Sequence, residues 1–591
     1  MPVAKSKSRR SRPTRRAPAA RPQTSPQNAR SPRFFRRAPF LLTLTSGLLL
    51  FISYPPVGWS ILGWFAPLAI IELVRRSDAL PRREYTFIWL ASLIQWMVVL
   101  YGVRIAHPWL NVGWVVLSAY LAVYTVLFVS ISRVGIHQLR LPVTLTVPLV
   151  WVGLEYARGF MFTGFSLALV GHSQIHWTSL IQVADLFGAY AVSFLMITVC
   201  TTALVAWHQR SKLKQVAVPI AVAVALFIAT LAYGYFRLAE TPPDKDRQLR
   251  VALLQGTMDT IFEYNPQRDL ATFKQYRDLS LNLAASGQPV DLIVWPESVF
   301  VLPEIHINED DPPKWDVESK KYVLENQTRF EDVRRQLVTR ITELYQASNR
   351  TKRAPQVIIG TQTRKYARQR EFYNAALVVD PAGMLSQRYY KMHPVWFGET
   401  IPLGDIFPFL YDLSPMEMGM SVGKEPLNFQ VGDIRLCPNI CFEITVPHLI
   451  RRQFASAKQS DQRPDAFINL TNDGWFWGSS ILDFQFASAV FRAVENRCPV
   501  LVAANCGITA HIDGDGKVVK QLPRRTIEMI LTTMEADGRT TGYHLWGDWP
   551  VCGCLLFVVV IGGCGWMRNR DGRGDVAGDS EKKSPASETS D

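Results

Sequence analysis

The chain has 591 residues, of which 48% are hydrophobic and 19% charged, with a formal net charge of +14 and a mean hydropathy near zero. That length allows several domains. The averages conceal a split that excludes a chain soluble throughout: residues 40–236 and 549–567 are mostly apolar, whereas 240–548 has the composition of an ordinary soluble domain.

The first 37 residues hold twelve Lys and Arg and no acid, among Pro, Ser and Ala. Such a segment cannot bury a core and is expected to be a disordered cytoplasmic arm that enforces topology and touches anionic lipid. It lacks the short apolar run and small-residue site of a cleavable signal peptide. Apolar runs long enough for membrane helices follow near 40–54, 57–74, 86–103, 112–132, 142–162, 184–206 and 216–236, with an eighth near 549–567. Tyr54-Pro-Pro-Val57 separates the first two as a tight hairpin. Arg75, Arg76, Arg82 and Arg83, then Arg133 and Arg140, then Arg210, Lys212 and Lys214 fall between alternate spans, on the side of the basic arm. That side is therefore cytoplasmic, the polar insertion 240–548 lies outside, and the eighth span returns Arg568 and Arg570 to the cytoplasm. The tail 568–591, rich in Ser, Asp, Glu and Lys, is expected to be disordered.

Glu155 and Arg158 interrupt the fifth run, in Trp151-Val-Gly-Leu-Glu-Tyr-Ala-Arg-Gly-Phe160. Three residues apart on a helix, they share a face and could neutralise each other or line a substrate path.

From Leu249 the pattern becomes that of an α/β domain. Strands are expected over 249–256, 357–360, 373–380, 466–470 and 500–504, helices over 268–284 and 332–347, and hairpin turns at Pro381-Ala-Gly383 and Asp513-Gly-Asp-Gly516. Reactive groups of such folds gather at the C-terminal ends of strands. Glu297, in Leu292-Ile-Val-Trp-Pro-Glu297, sits at such an end. So do Lys391, in Arg388-Tyr-Tyr-Lys391, and Cys441, in Leu436-Cys-Pro-Asn-Ile-Cys441. A thiol with an ordinary pKa of about 8.5 needs a base or a cation to become a nucleophile. Glu297 would take its proton, while Lys391 and the backbone N–H of Phe442 would stabilise the oxyanion. The eight cysteines show no paired zinc spacing, and Cys437 and Cys441, four apart on a strand, would stand about 13 Å apart, too far to bridge.

The Trp-Pro-Glu297 motif, the stretch Lys391-Met-His-Pro-Val-Trp-Phe-Gly-Glu399 and the stretch Asn439-Ile-Cys-Phe-Glu443 resemble the nitrilase superfamily. With the preceding spans, Gln255-Gly256, Thr471-Asn-Asp-Gly-Trp475 and Phe491-Arg-Ala-Val-Glu495, residues 40–565 are similar to the apolipoprotein N-acyltransferases of diderm bacteria.

The resemblance implies a multi-pass α-helical membrane domain of about eight helices (38–237 and 549–567) and a nitrilase-like αββα catalytic domain (248–540) on the periplasmic side of the inner membrane. It implies Glu297, Lys391 and Cys441 as the catalytic triad, with Glu399, Phe442 and Glu443 in support. Tyr264, Trp396, Trp475, Glu155 and Arg158 become candidate substrate contacts. The reaction so implied takes an acyl chain from a phospholipid onto Cys441 as a thioester and passes it to the α-amine of a diacylglyceryl-cysteine apolipoprotein. No cofactor, metal or nucleic acid enters, and a monomer suffices.

Several positions depart from the family pattern: Tyr264 stands where a tryptophan is usual, Phe442 replaces a tyrosine, and Cys506 replaces a polar residue. The competing readings are a membrane-anchored amidase that uses water as acceptor and an inactive lipid-binding scaffold.

Overall fold

The computed structural model describes residues 38–581 except 106, 163, 262–264, 311–312, 349–352, 405, 413–418 and 460–462. The basic arm 1–37, Tyr264 and residues 582–591 lie outside the described residues.

The apolar half folds as helices α1 (Ala38–Ser53), α2 (Ala66–Arg75), α3 (Arg82–Val99), α4 (Leu110–Arg133), α5 (Val143–Arg158), α6 (Ala189–His208) and α7 (Ala217–Ala239). Among the described residues, four helical stretches are long and apolar enough to cross a membrane: Leu110–Gln138, Ala189–His208, Arg210–Ala239 and Trp549–Arg568. The remaining expected spans form shorter or less apolar helices, and one of the four starts later than its run. The run at 57–74 divides into a 3₁₀ turn, Ser60–Trp64, and the ten-residue α2, which restarts with Pro67 in its first turn. The run at 184–206 is interrupted at Gly188, whose φ of +73° ends one short helix before α6 begins.

The polar half is a four-layer sandwich. Its strands are β1 (Gln248–Gln255), β2 (Leu292–Val294), β3 (Glu304–Ile307), β4 (Gln356–Tyr366), β5 (Arg370–Val379), β6 (Leu385–Tyr390), β7 (Phe429–Val431), β8 (Ile434–Ile440), β9 (Ala466–Asn472), β10 (Val500–Asn505), β11 (Ala510–Ile512), β12 (Val518–Gln521) and β13 (Glu528–Glu535). One sheet runs β13-β1-β2-β4-β5-β6, with β3 added to β4; the other runs β12-β11-β10-β9-β8-β7. Their inner faces share a core that includes Leu253, Val294, Ile358, Leu436, Ile468 and Leu501.

The period of two sends alternate residues outward. On the first sheet Leu254, Ile293 and Leu377 pack under α8 (Pro266–Ser286) and α9 (Val317–Ser348). On the second, Phe467, Val500 and Val502 pack under α10 (Pro447–Gln459) and α11 (Ile481–Asn496). The αββα architecture expected from the resemblance is therefore present. Helix α9 starts fifteen residues earlier than its apolar periodicity predicts, because its first half buries little besides Val323 and Phe330. The last helix, α12 (Trp549–Glu581), continues past residue 567 into the expected disordered tail, with no proline before Pro585 to stop it.

Both expected hairpins form, with Gly383 and Gly516 at φ of +78° and +76°.

Candidate active site

Three strand ends converge. Glu297 follows β2 by three residues, Lys391 follows β6 directly, and Cys441 follows β8 directly. All three are buried, at 5%, 3% and 8% exposure. The fold brings these three sequence-predicted residues together.

The Lys391 ammonium donates to Glu399 Oε1 at 2.8 Å and reaches Glu297 Oε1 at 3.4 Å. Asn374 on β5 ties the two acids together, its amide donating to Glu297 Oε1 at 2.6 Å and Glu399 Oε1 at 3.0 Å. The other Glu297 oxygen accepts the backbone N–H of Asn472 at 2.8 Å, and Glu399 Oε2 accepts that of Val395 at 2.8 Å. Every carboxylate oxygen therefore has a donor, which a buried anion requires. Burial works against the Lys391 charge, but Glu399, Glu297 and the thiol outweigh it and hold its pKa well above the usual lysine range.

Cys441 opens the 3₁₀ turn Cys441–Thr445 with φ of +53°, a left-handed conformation rare outside glycine. Neighbouring bonds hold it there. Asn469 donates to the Cys441 carbonyl at 3.2 Å and to Asn439 Oδ1 at 2.6 Å. Burial, then the Glu297 charge, push the thiol well above its ordinary value, with Lys391 acting in the opposite sense. The resting group is thus a protonated thiol that needs a base at the moment of attack.

Glu443 links the nucleophile turn to the lysine strand. Its Oε1 accepts the backbone N–H groups of Met392 (2.6 Å) and His393 (3.0 Å); its Oε2 accepts Ile440 N–H (2.7 Å) and the Tyr389 hydroxyl (2.9 Å). Burial nevertheless raises this carboxyl to about 7. Phe442, beside the nucleophile, stacks on His393 at 6.1 Å between ring centroids. Asp473 is pushed up to about 7 as well, by burial first, although it accepts the Thr471 hydroxyl at 2.8 Å.

The expected substrate contacts divide. Trp396 meets Phe162 of the apolar half at 6.1 Å, and Trp475 is half-buried on the turn Asp473–Phe476. Glu155 and Arg158 are buried along one cavity, with Tyr54, Gln95 and Trp96; its lining includes none of the triad. Of the two readings their spacing leaves open, a direct ion pair is not formed. Glu155 Oε1 accepts Trp151 Nε1 (3.1 Å) and Val170 N–H (3.0 Å), while Arg158 donates to the Leu167 carbonyl (3.0 Å) and lies over the Trp96 ring. The backbone of 167–170 offers both groups a nearer partner than each other.

Sequence reasoning missed Asn374, Tyr389 and Gln453, which donates to the Tyr389 hydroxyl at 3.0 Å. The one available signal was a polar residue inside an otherwise apolar strand, as in Tyr373-Asn-Ala-Ala-Leu377.

Two family models match the chain: the apolipoprotein N-acyltransferase N-terminal domain over residues 46–202 and carbon-nitrogen hydrolase over 250–543. An apolipoprotein N-acyltransferase of Rhodopirellula baltica is 32% identical over 557 residues, spanning 88% of this chain and 95% of that protein. One from Geobacter metallireducens is 29% identical over 544 residues, spanning 90% and 96%. Among solved structures, a CN-hydrolase superfamily protein of Xanthomonas campestris aligns with 51% of this chain and 96% of its own, at 19% identity and a TM-score of 0.32.

Proposed function

The chain belongs to the apolipoprotein N-acyltransferase family, and from that membership we propose that it transfers an acyl chain from a membrane phospholipid to the N-terminal α-amine of S-diacylglyceryl-cysteine apolipoproteins. The observation that carries the chemistry is the buried cluster of Glu297, Lys391 and Glu399 beside a thiol at the end of β8.

In the first half-reaction Glu297 takes the Cys441 proton as sulfur attacks the ester carbonyl. Lys391 and the Phe442 N–H stabilise the tetrahedral oxyanion. Its collapse breaks the ester C–O bond, the proton goes to the leaving alkoxide, and lysophospholipid departs, leaving a thioester. In the second half-reaction the lipoprotein amine attacks the thioester, Glu297 accepts its proton, and the thiol is restored. Glu399 positions Lys391, and Glu443 fixes the nucleophile turn against the lysine strand. Trp396 and Trp475 line the lipid path, and Glu155 and Arg158 line the cavity of the apolar half.

The apolar half crosses a bacterial inner membrane eight times with α12 as the last span. Both termini are cytoplasmic, the sandwich is periplasmic, and the chain works as a monomer. The charge pattern and the four apolar helices support this placement.

Intact-protein mass spectrometry of the detergent-purified chain, incubated with phospholipid and then chased with a diacylglyceryl-cysteine peptide, tests the chemistry. The expected result is an acyl-sized mass gain on wild type, absent from Cys441→Ala, that moves to the peptide amine. An adduct discharged only by water would make the chain a hydrolase. No adduct on folded protein would remove the mechanism.

A further inference from the structure

Arginines buried where the two halves meet are engaged. Arg497 and Arg237 both grip Asp185, at 2.6 and 2.8 Å, and Arg492 pairs with Glu495 at 2.5 Å. Arg104 is different. It closes the 3₁₀ turn Tyr101–Arg104 after α3, at the opposite end from Arg82 and Arg83, about 27 Å along an 18-residue helix. It is half-buried, yet among the described residues no carboxylate pairs with it.

Its guanidinium is held instead by two rings, 5.2 Å from the centroid of Tyr101 and 5.1 Å from that of Trp114. The rings meet edge to face at 6.3 Å, and Trp114 is fixed by its indole N–H donating to the Met97 carbonyl at 3.1 Å. Tyr101 and nearby Trp109 are 51% and 43% exposed, as aromatics at a membrane–water boundary are. The turn also lies against the catalytic half. Gly102 packs so closely on Ser479 and Ile481 that a Cβ there has no room. Ser479 follows the turn Asp473–Phe476, and that turn begins beside Asn472, whose N–H holds Glu297.

We propose that Arg104 binds the phosphodiester of a membrane phospholipid, holding the headgroup at the lip of the catalytic half. The two rings attract the guanidinium charge without accepting its N–H bonds, and among the described residues no oxygen takes them. The N–H edge suits two phosphate oxygens, and a guanidinium loses less hydration than an ammonium on giving up water. The ligand is recognised by its phosphate rather than by the variable headgroup alcohol. As the acyl donor, the bound lipid would present its glycerol esters towards Cys441; this last step rests on the donor chemistry proposed above.

Binding of a diether phospholipid, which has no ester to give up, separates the two readings. Measured on the full chain in detergent micelles by tryptophan fluorescence, its affinity should fall about tenfold in Arg104→Ala and less in Arg104→Lys. A phosphate-free diether glycerolipid should bind wild type and Arg104→Ala alike, which also reports that the variant is folded. With ester phospholipid, acylation of Cys441 at subsaturating lipid should slow by the same factor, while discharge of a preformed adduct to the peptide amine is unchanged. Equal binding of the diether phospholipid by wild type and Arg104→Ala, or an equal loss for the phosphate-free lipid, would overturn the site. Arg104-dependent binding without any acyl adduct on wild type would keep the site and remove the donor reading.

Discussion

The two outer layers of the sandwich do the same job for their sheets and differ in everything else. Helix α9 covers the first sheet with a single stripe, including Phe330, Leu337, Val338 and Ile341, and turns Arg340 and Glu343 to solvent. Helix α11 covers the second sheet, and all sixteen of its residues are buried, because the apolar half lies on its other side. Its polar residues therefore act as joints. Glu495 accepts the N–H of Ala189 at 2.8 Å, and Arg497, just past its end, reaches Asp185. An amphipathic helix indicates a face left to water, whereas a helix buried all round, with charges, indicates a second body. The same layer that completes the fold on one side has become an interface on the other.

The sharpest way to break this contrast is Arg497→Ala, which takes one of two arginines from the buried Asp185 and leaves Arg237 and Tyr233 to hold it. A loss of about 3 kcal/mol is expected, read as a lowered unfolding midpoint in detergent.

Next comes pH. Burial raises Glu495 from an ordinary 4.5 to about 7, despite Arg492 and the Ala189 N–H. A carboxyl with a raised folded-state pKa binds more protons folded than unfolded between those values. Its stabilising contribution is therefore complete below about 4.5 and is lost as pH rises to about 7, by up to about 3 kcal/mol. Midpoints measured from pH 4.5 to 8 should fall for wild type and fall less for Glu495→Gln; parallel curves would contradict the assignment.

On the α9 side, Ile341→Val removes one buried methyl group and should cost about 1 kcal/mol, with acylation of Cys441 unchanged in the mass assay. The smallest effect belongs to Glu343→Ala. It removes an exposed partner of Arg340, at 3.0 Å, and should shift stability by under about 0.5 kcal/mol.

The same contrast explains what could be read from the sequence. Glu297, Lys391 and Cys441 were legible because each closes a strand-like segment, a position that betrays chemistry without knowledge of its partners. Asn374 was not, because its role depends on two carboxylates 77 and 25 residues away that only the sheet order brings to its amide. Membrane helices were legible as apolar runs, but hydropathy does not register that Pro67 restarts a helix or that Gly188 divides one. The spacing of Glu155 and Arg158 puts them on one helix face, but helix geometry says nothing of the backbone at 167–170, which takes a hydrogen bond with each side chain.

Asn374 leaves one further mark on the chemistry. A lysine in its place would have balanced the two acids, but a neutral amide does not. Glu297, Glu399 and Lys391 together thus set two acids against one base in a largely buried site. On the proposed reaction, such a site sorts its two substrates by sign. It turns away the phosphate of the donor, leaving only the uncharged ester to approach sulfur, and it draws in the ammonium form of the acceptor, whose proton Glu297 then removes.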